Sequence, residues 1–517
     1  MAQAKGKIII WVMLITILSK CFGFGRDMIL AYFFGASNIT DAYFIAQTIP
    51  EFLFSIVVQT IAVGFIPVYI DIMHKQSSQK AAQFSTQVLF GSWILCVGLV
   101  IFVNFFTSQI VSIFASNFSA QAAQTAILFV KITVLAMFFR ITTNVVSASL
   151  QANNNFIFPA AIGLPFDIVV IISVIIAAFT SPVILAWGLV VAAAIQVVFL
   201  LPQFLKNLSF DFSQLFPLFT PSVKKMCALF LPVALGVSAN QINILVDRTL
   251  ASGVQGGISA LNYANKTNNV VENIIILSLA MVMFPTFAAY VSKKDFKSFI
   301  TSVAKSINIV IFTMLPCSAF FIIFAPDIIK VLFGHGVFDA SSVAQTSSVM
   351  RFYAIGLLGI SVSIIFTRAL YAVQKVKWVS ITACFSVALN VILNLILSRM
   401  MGIKGLALAT SIASSFSACV LFILLTHYLK TSFLHLFNKE LLKCLLATTA
   451  LVVITIQMQR LFAVVLPEVI ACVVSGVIAG SIYIGICILL KCDSLKYSYS
   501  IINEIKRKFI SIKNDII

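Results

Sequence analysis

The residues able to do chemistry in this chain are ionisable side chains set inside long apolar stretches. Lys20, Arg26 and Asp27 lie in the first stretch, Asp41 and Glu51 in the second, Lys131 and Arg140 in the fourth, and Asp167 in the fifth. The pattern returns with Asp247-Arg248, then Lys266 and Glu272, then Arg351 and Arg368. A charge in an apolar helix costs about 2.5–3.5 kcal/mol at mid-membrane and usually faces a bundle interior or a water-filled cavity. Lys20, Arg26, Arg248 and Lys266 suit a di-anionic ligand, because arginine grips phosphate oxygens bidentately and lysine acts as a point charge. Asp27, Asp41 and Asp247 would keep those cations paired when no ligand is bound. Arg26–Asp27 and Asp247–Arg248 also read as structural pairs, and Lys131 and Arg351 stand where they can snorkel. Asn390 and Asn394, spaced i and i+4, share one helix face. With Thr410 and Asp247 they form an oxygen-rich set for a cation; read alone, the pair is helix–helix glue.

Such groups must be positioned by membrane helices. Of the 517 residues, 61% are hydrophobic and only 10% charged, against about 25% charged in soluble domains. A soluble globular fold is therefore excluded. The net charge of +18 would suggest nucleic acid in a soluble protein, but cytoplasmic loops of membrane proteins collect Lys and Arg, so no nucleic-acid partner is expected. Ten cysteines occur without a CxxC pair, which indicates neither a zinc site nor a disulfide framework.

Cutting at Gly, Pro, Asn and charge clusters gives fourteen expected spans, approximately 8–33, 38–69, 82–107, 120–152, 158–180, 182–205, 222–252, 258–290, 298–325, 341–373, 378–399, 403–428, 440–459 and 462–490. Lys20 stands where a signal peptidase wants a small residue, so the first span reads as uncleaved. Outside the spans, 18 Lys and Arg fall on one side and 2 on the other, alternating loop by loop. This predicts cytoplasmic termini. The basic segment 491–517 reads as a solvated cytoplasmic tail near the membrane surface.

An internal repeat runs at an offset of 220 residues. Asp27 and Asp247, Ala31 and Ala251, Tyr43 and Tyr263, and Leu150 and Leu370 all keep it. A duplicated six-helix unit follows, with lobes 1–206 and 222–428 and a pseudo-twofold axis along the membrane normal. Nine of the embedded charges fall on helices 1, 2, 7 and 8, the first hairpin of each copy, which are expected to line a central cavity. Pro50, Pro232, Gly23 and Gly25 are expected to interrupt their helices and supply hinges.

The stretch Ser19-Lys20-Cys21-Phe22-Gly23-Phe24-Gly25-Arg26-Asp27, then Phe34-Gly35-Ala36 and Thr40-Asp41-Ala42-Tyr43, resembles the opening of the MviN/MurJ lipid II flippases. Asn262-Tyr263-Ala264-Asn265-Lys266, Leu332-Phe333-Gly334-His335-Gly336-Val337-Phe338-Asp339 and Gly405-Leu406-Ala407-Leu408-Ala409-Thr410 resemble the same family. The resemblance implies an all-α fold of the multidrug/oligosaccharidyl-lipid/polysaccharide exporter superfamily, with helices 13 and 14 (440–490) forming a lipid-tail groove. It implies transport of undecaprenyl-pyrophosphate-linked disaccharide-pentapeptide to the outer leaflet of the bacterial cytoplasmic membrane, for peptidoglycan synthesis. Lys20 and Arg26 match the family's helix 1 cations, Asp41 its helix 2 acid, and Lys266 the place of a helix 8 arginine. Asp247, Asn390, Asn394 and Thr410 correspond to a sodium site in some relatives. Departures occur too: Glu51-Phe52 follows Pro50 where many relatives carry arginine, and Asn265 and Asn394 replace acids.

The expected function is therefore lipid II flipping by alternating access, without bond chemistry and without a cofactor. Coupling to membrane potential or to Na+ or H+ is expected, with cell-wall synthesis machinery as a candidate partner. A flippase for another polyprenyl-linked glycan, or a drug/cation antiporter, is the alternative. The antiporter should have an acid-dominated cavity, whereas cations here are at least as frequent.

Overall fold

The computed structural model describes residues 2–207, 216–218, 220–430, 435–465 and 468–497, and every regular element among them is a helix. Residues 498–517 of the expected basic tail lie outside the described residues. The chain divides into two compact units, Met1–Ser259 with Gly336–Phe338, and Ala260–His335 with Asp339–Ile517.

The first unit contains α1 (Ala2–Phe34), α2 (Asn38–Lys75), α3 (Ser78–Phe114), the α4–α5 pair (Ala120–Thr133 and Ala136–Ala152), and the short α6 (Ile157–Ala161). It continues with α7 (Gly163–Phe179), α8 (Val183–Asn207), α9 (Pro221–Cys227) and α10 (Phe230–Ala251). The second contains most of α11 (Gly257–Val271), a π-helical segment Glu272–Leu277, α12 (Ser278–Ser292), α13 (Phe296–Phe333) and α14 (Ala340–Ala372). Then come α15 (Val376–Met401), α16 (Ile403–Leu429), α17 (His435–Val465) and α18 (Glu468–Leu489). Helix α10 packs on α2 and α3 and belongs with them to the unit that ends at Ser259.

Among the described residues, ten helical segments are long and apolar enough to cross a membrane, or eleven with the bent α4–α5 pair. The expectation was fourteen. Of the remainder, α1 carries Lys5, Lys7, Lys20, Arg26 and Asp27, and the apolar part of α18 is the shorter Val474–Leu489. Large side chains such as Phe105 and Phe179, 79% and 78% exposed, form the outward face expected of helices solvated by lipid.

Helix starts follow local chemistry. Ser37 and Thr40 form a capping box at the start of α2, satisfying backbone N–H groups that the first turn leaves open. Asp295 and Asp339 cap α13 and α14 by accepting from the N–H of Ser298 and Ser342. Helices close on one another where small residues permit it. Ser19 and Gly23 of α1 face Gly163 and Asp167 of α7: a Cβ on Gly163 would overlap the Ser19 hydroxyl, and one on Gly23 would lie 3.4 Å from Asp167 Oδ2. In the second unit Gly356 and Gly359 of α14 admit Ser411 and Ser415 of α16 in the same way.

The expected breaks fall elsewhere. Helix α1 is continuous through Gly23 and Gly25, and α2 through Pro50 and Pro67. Pro232 sits in the first turn of α10, where its missing N–H would have no partner anyway. The bend of 43° comes instead between α4 and α5, where the Thr133 hydroxyl donates to the carbonyl of Ala46 in α2. That long-range bond leaves no mark in local sequence.

The 220-residue offset does reappear as geometry. Asn154 and Gln374 are both left-handed, with φ of 61° and 59°. Asn155 N–H donates to the Leu150 carbonyl and Lys375 N–H to the Leu370 carbonyl, each at 2.9 Å. Both are six-to-one closures of a Schellman-type helix end, so α5 and α14 finish alike.

Candidate functional site

Arg26 is the centre of the first constellation. One face of α1 brings it, by the close approach at Ser19 and Gly23, against the start of α7. Its Nη1 donates to Asp167 Oδ1 at 2.9 Å. Its Nε and Nη2 donate to Asp27 Oδ1 at 3.2 and 3.1 Å. The side chains of Arg26, Asp27 and Asp167 are 16%, 3% and 8% exposed. One cation thus stands between two carboxylates in a largely dry place, where ionic hydrogen bonds are strong and loss of a partner is costly. Asp167 as the second partner was not legible from sequence, since it lies 141 residues away.

Phe166, the neighbour of Asp167, lies near two guanidinium groups. Its ring centroid is 6.0 Å from Arg26 Cζ and 5.7 Å from Arg140 Cζ, within cation–π range. Arg140 of α5 pairs with Glu51 of α2. Both line a cavity of about 450 Å³ within the first unit, with Thr143, Gln59, Gln196 and Gln241 among its polar walls. Volumes of about 300–1,000 Å³ are usual for ligand sites. Opposite charges in two apolar helices were the available sequence signal for this pair, and their separation by 89 residues hid it.

Asp41 and Arg248 belong to the same unit. Asp41 is 1% exposed, and its Oδ1 accepts from the Ser259 backbone N–H at 2.8 Å and from the Ser259 hydroxyl. Asp41 itself sits in the first turn of α2, and its carboxylate serves an open N–H group at the start of α11. Arg248, in the last turn of α10, lies within electrostatic reach of Asp41 and donates to the Ile258 carbonyl at 3.3 Å. Lys20 is exposed on α1, two turns before Arg26.

In the second unit Lys266 is half-buried on α11, six residues before the π-helical segment that begins with Glu272. Such segments bend a helix and recur at functional sites. Asn390, Asn394 and Thr410 come together: Asn394 Nδ2 donates to Asn390 Oδ1 at 2.8 Å, and Asn390 Nδ2 to Thr410 Oγ1 at 3.2 Å. The oxygens of Asn390 and Thr410 thus each accept an N–H in this arrangement. Asp247, the remaining member of the expected set, belongs to the first unit.

A helical membrane protein with buried ion pairs and polar clusters inside long spans belongs, as a class, with transporters. A solved multidrug resistance MATE family transporter of the MOP superfamily, in its inward-facing conformation, aligns with a TM-score of 0.67 at 15% identity, covering 81% of this chain and 98% of that one. A solved lipid II flippase MurJ in an inward closed conformation aligns with a TM-score of 0.79 at 22% identity, covering 93% and 99%. At those identities the likeness concerns the fold.

Sequence narrows the class further. The family model "Lipid II flippase MurJ" matches residues 30–474, and the chain belongs to that family. Among its relatives, a probable lipid II flippase MurJ of Buchnera aphidicola subsp. Baizongia pistaciae is 28% identical over 79% of this chain and 81% of its own length. The lipid II flippase MurJ of Burkholderia cenocepacia is 25% identical over the same shares. A probable lipid II flippase MurJ of Bdellovibrio bacteriovorus is 25% identical over 93% of this chain and 94% of its own.

Proposed function

We propose that this protein carries lipid II, the undecaprenyl-pyrophosphate-linked disaccharide-pentapeptide, from the inner to the outer leaflet of the bacterial cytoplasmic membrane. The observation that carries this reading is the family match across residues 30–474, in a chain whose relatives bear the name lipid II flippase. No bond is made or broken. A charged, sugar-bearing head crosses hydrocarbon slowly by itself, and a polar path with alternating access removes that barrier.

In the first unit we assign Arg26, Arg248 and Lys20 to the pyrophosphate. Arg26 is held by Asp27 and Asp167 through three of the five N–H groups of a guanidinium, so a phosphate oxygen can take a remaining N–H or replace a carboxylate oxygen. Exchange of one oxyanion for another keeps the cation paired, which avoids the penalty of a bare buried charge. Asp27 and Asp41 act on this reading as positioning residues that hold Arg26 and Arg248. In the second unit Lys266 is the cation we assign to the head group. Fourteen spans with both termini cytoplasmic, a lipid-tail groove on helices 13 and 14, and coupling to Na+ through Asp247, Asn390, Asn394 and Thr410 complete the proposal. Membrane potential or H+ is the alternative driving force.

The test is complementation of a strain depleted of its own lipid II flippase, with wild type, Arg26→Ala and Asp41→Ala at equal membrane levels. Rescue by wild type and failure of Arg26→Ala support the reading. Failure of a well-expressed wild type points to a different polyprenyl-linked glycan.

A further inference from the structure

The cavity beside Arg140 has a chemistry that the pyrophosphate does not use. Its charged groups are one carboxylate, Glu51, and one guanidinium, Arg140, already paired. The remaining polar walls are neutral, from the hydroxyls of Ser55 and Thr143 and the carboxamides of Gln59, Asn144, Gln196 and Gln241. A site of zero net charge that presents an acid is poorly suited to a di-anion, because Glu51 would repel it. It suits a ligand carrying both signs close together, flanked by amide groups.

Two further observations bear on occupancy. Thr143 is 4% exposed, and its hydroxyl has no hydrogen-bond partner among the described residues. A buried hydroxyl in a cavity wall without a partner is costly unless the cavity's contents supply one. The Glu51–Arg140 pair, with side chains 54% and 26% exposed, is a partly solvated ion pair of the kind worth only about 0–1 kcal/mol. A ligand can therefore separate it and take both partners at little cost. Phe166 stays stacked on Arg140 and keeps that guanidinium in place.

We propose that this cavity binds a zwitterionic amino-acid group, with its ammonium on Glu51, its carboxylate on Arg140 and neighbouring amides on the carboxamide walls. The inference rests on the lipid II reading and deepens it: the peptide of the head group is what this cavity reads. Within a peptide, an ammonium and a carboxylate on one carbon occur on the side chain of a diaminodicarboxylic residue. A lysine side chain offers the ammonium alone. Glu51 is then a specificity-determining residue, and the chain favours the doubly charged side chain.

The test uses the full-length protein in lipid nanodiscs and two probes: lipid II containing a diaminodicarboxylic residue, and the same lipid with that residue's free amine acetylated. Wild type should bind the free-amine lipid about tenfold more tightly, a difference of about 1.4 kcal/mol. Glu51→Gln should abolish the preference by weakening only the free-amine lipid, and Glu51→Asp should retain part of it. Equal wild-type affinity for the two lipids overturns the assignment without any variant having to fold. So does an equal loss for both lipids in Glu51→Gln. Wild type that binds neither lipid overturns the lipid II reading, and this inference with it.

Discussion

Arg26 and Asp167, 141 residues apart, meet at 2.9 Å in a place where Asp27 already holds the same guanidinium. Arg26 therefore has two separable duties, balancing two buried acids and, on our proposal, meeting the pyrophosphate. Arg26→Ala leaves two carboxylates without their cation, and breaking a buried pair costs about 3–5 kcal/mol. The variant should lose transport and show a lower thermal unfolding midpoint. Adding Asp27→Asn and Asp167→Asn should recover most of the midpoint while transport stays absent. Recovery of both would show that Arg26 serves the fold alone.

Asp41 makes a different prediction, because its partner is a backbone N–H. Asp41→Asn keeps an oxygen for Ser259 and should cost less than Asp41→Ala, which leaves a buried N–H and hydroxyl open at about 1–3 kcal/mol. Ser259→Ala removes the hydroxyl alone and should fall between wild type and Asp41→Ala. Thermal unfolding of the three purified variants gives the order directly; Asp41→Ala as stable as wild type would refute it.

Glycines separate close approach from mere presence. Gly256, at φ +70°, faces the carbonyl of Ala36, and Gly336, at φ +64°, faces that of Tyr32; a Cβ would collide with either oxygen. Alanine at either site should destabilise by more than the ~1–2 kcal/mol of a left-handed residue alone. Gly25 lies inside α1 with nothing near its missing Cβ, so Gly25→Ala should stabilise by roughly 0.5–1 kcal/mol. Expression level and unfolding midpoint of the three variants test this.

What the sequence made legible follows from what is local. Long apolar runs forecast helices, because hydropathy acts within a few residues. Arg26 and Asp27 are adjacent and their pairing could be read. Asp167, Ser259 and the Arg140 partner of Glu51 could not, since each pairing depends on how distant helices pack. The proline rule failed at Pro50 for a related reason: α2 stays helical where packing holds it, while a hydroxyl of α4 on Ala46 marks the real bend.

Asp339 gives a prediction in pH. It caps α14, and acceptance from the Ser342 N–H and hydroxyl holds its carboxyl below the usual aspartate range. A lowered folded value means that the contribution is complete above the ordinary carboxylate range and is lost as pH falls through the folded value. Asp339→Asn, still a good cap, should flatten that acid-side dependence with little change at neutral pH. Asp339→Ala should lose about 1 kcal/mol at neutral pH. Unfolding midpoints of the three proteins between neutral pH and about pH 3 check both signs, the lower limit lying just beneath the ordinary aspartate value.

The duplicated helix ends make the last prediction. Asn154 and Gln374 occupy the same left-handed position in α5 and α14, with matching closures from Asn155 and Lys375. Asparagine tolerates this conformation because its short polar side chain can bond locally; glutamine lacks that relief. Glycine has no Cβ penalty there, but its freer unfolded chain removes part of the gain. Gln374→Gly should therefore stabilise by about 0.5–1 kcal/mol, and Asn154→Gly should be close to neutral. Being 220 residues apart and in separate compact units, the two changes should add within about 0.5 kcal/mol. A stabilising Asn154→Gly beside a neutral Gln374→Gly would mean that packing around the caps, rather than backbone strain, sets their stability.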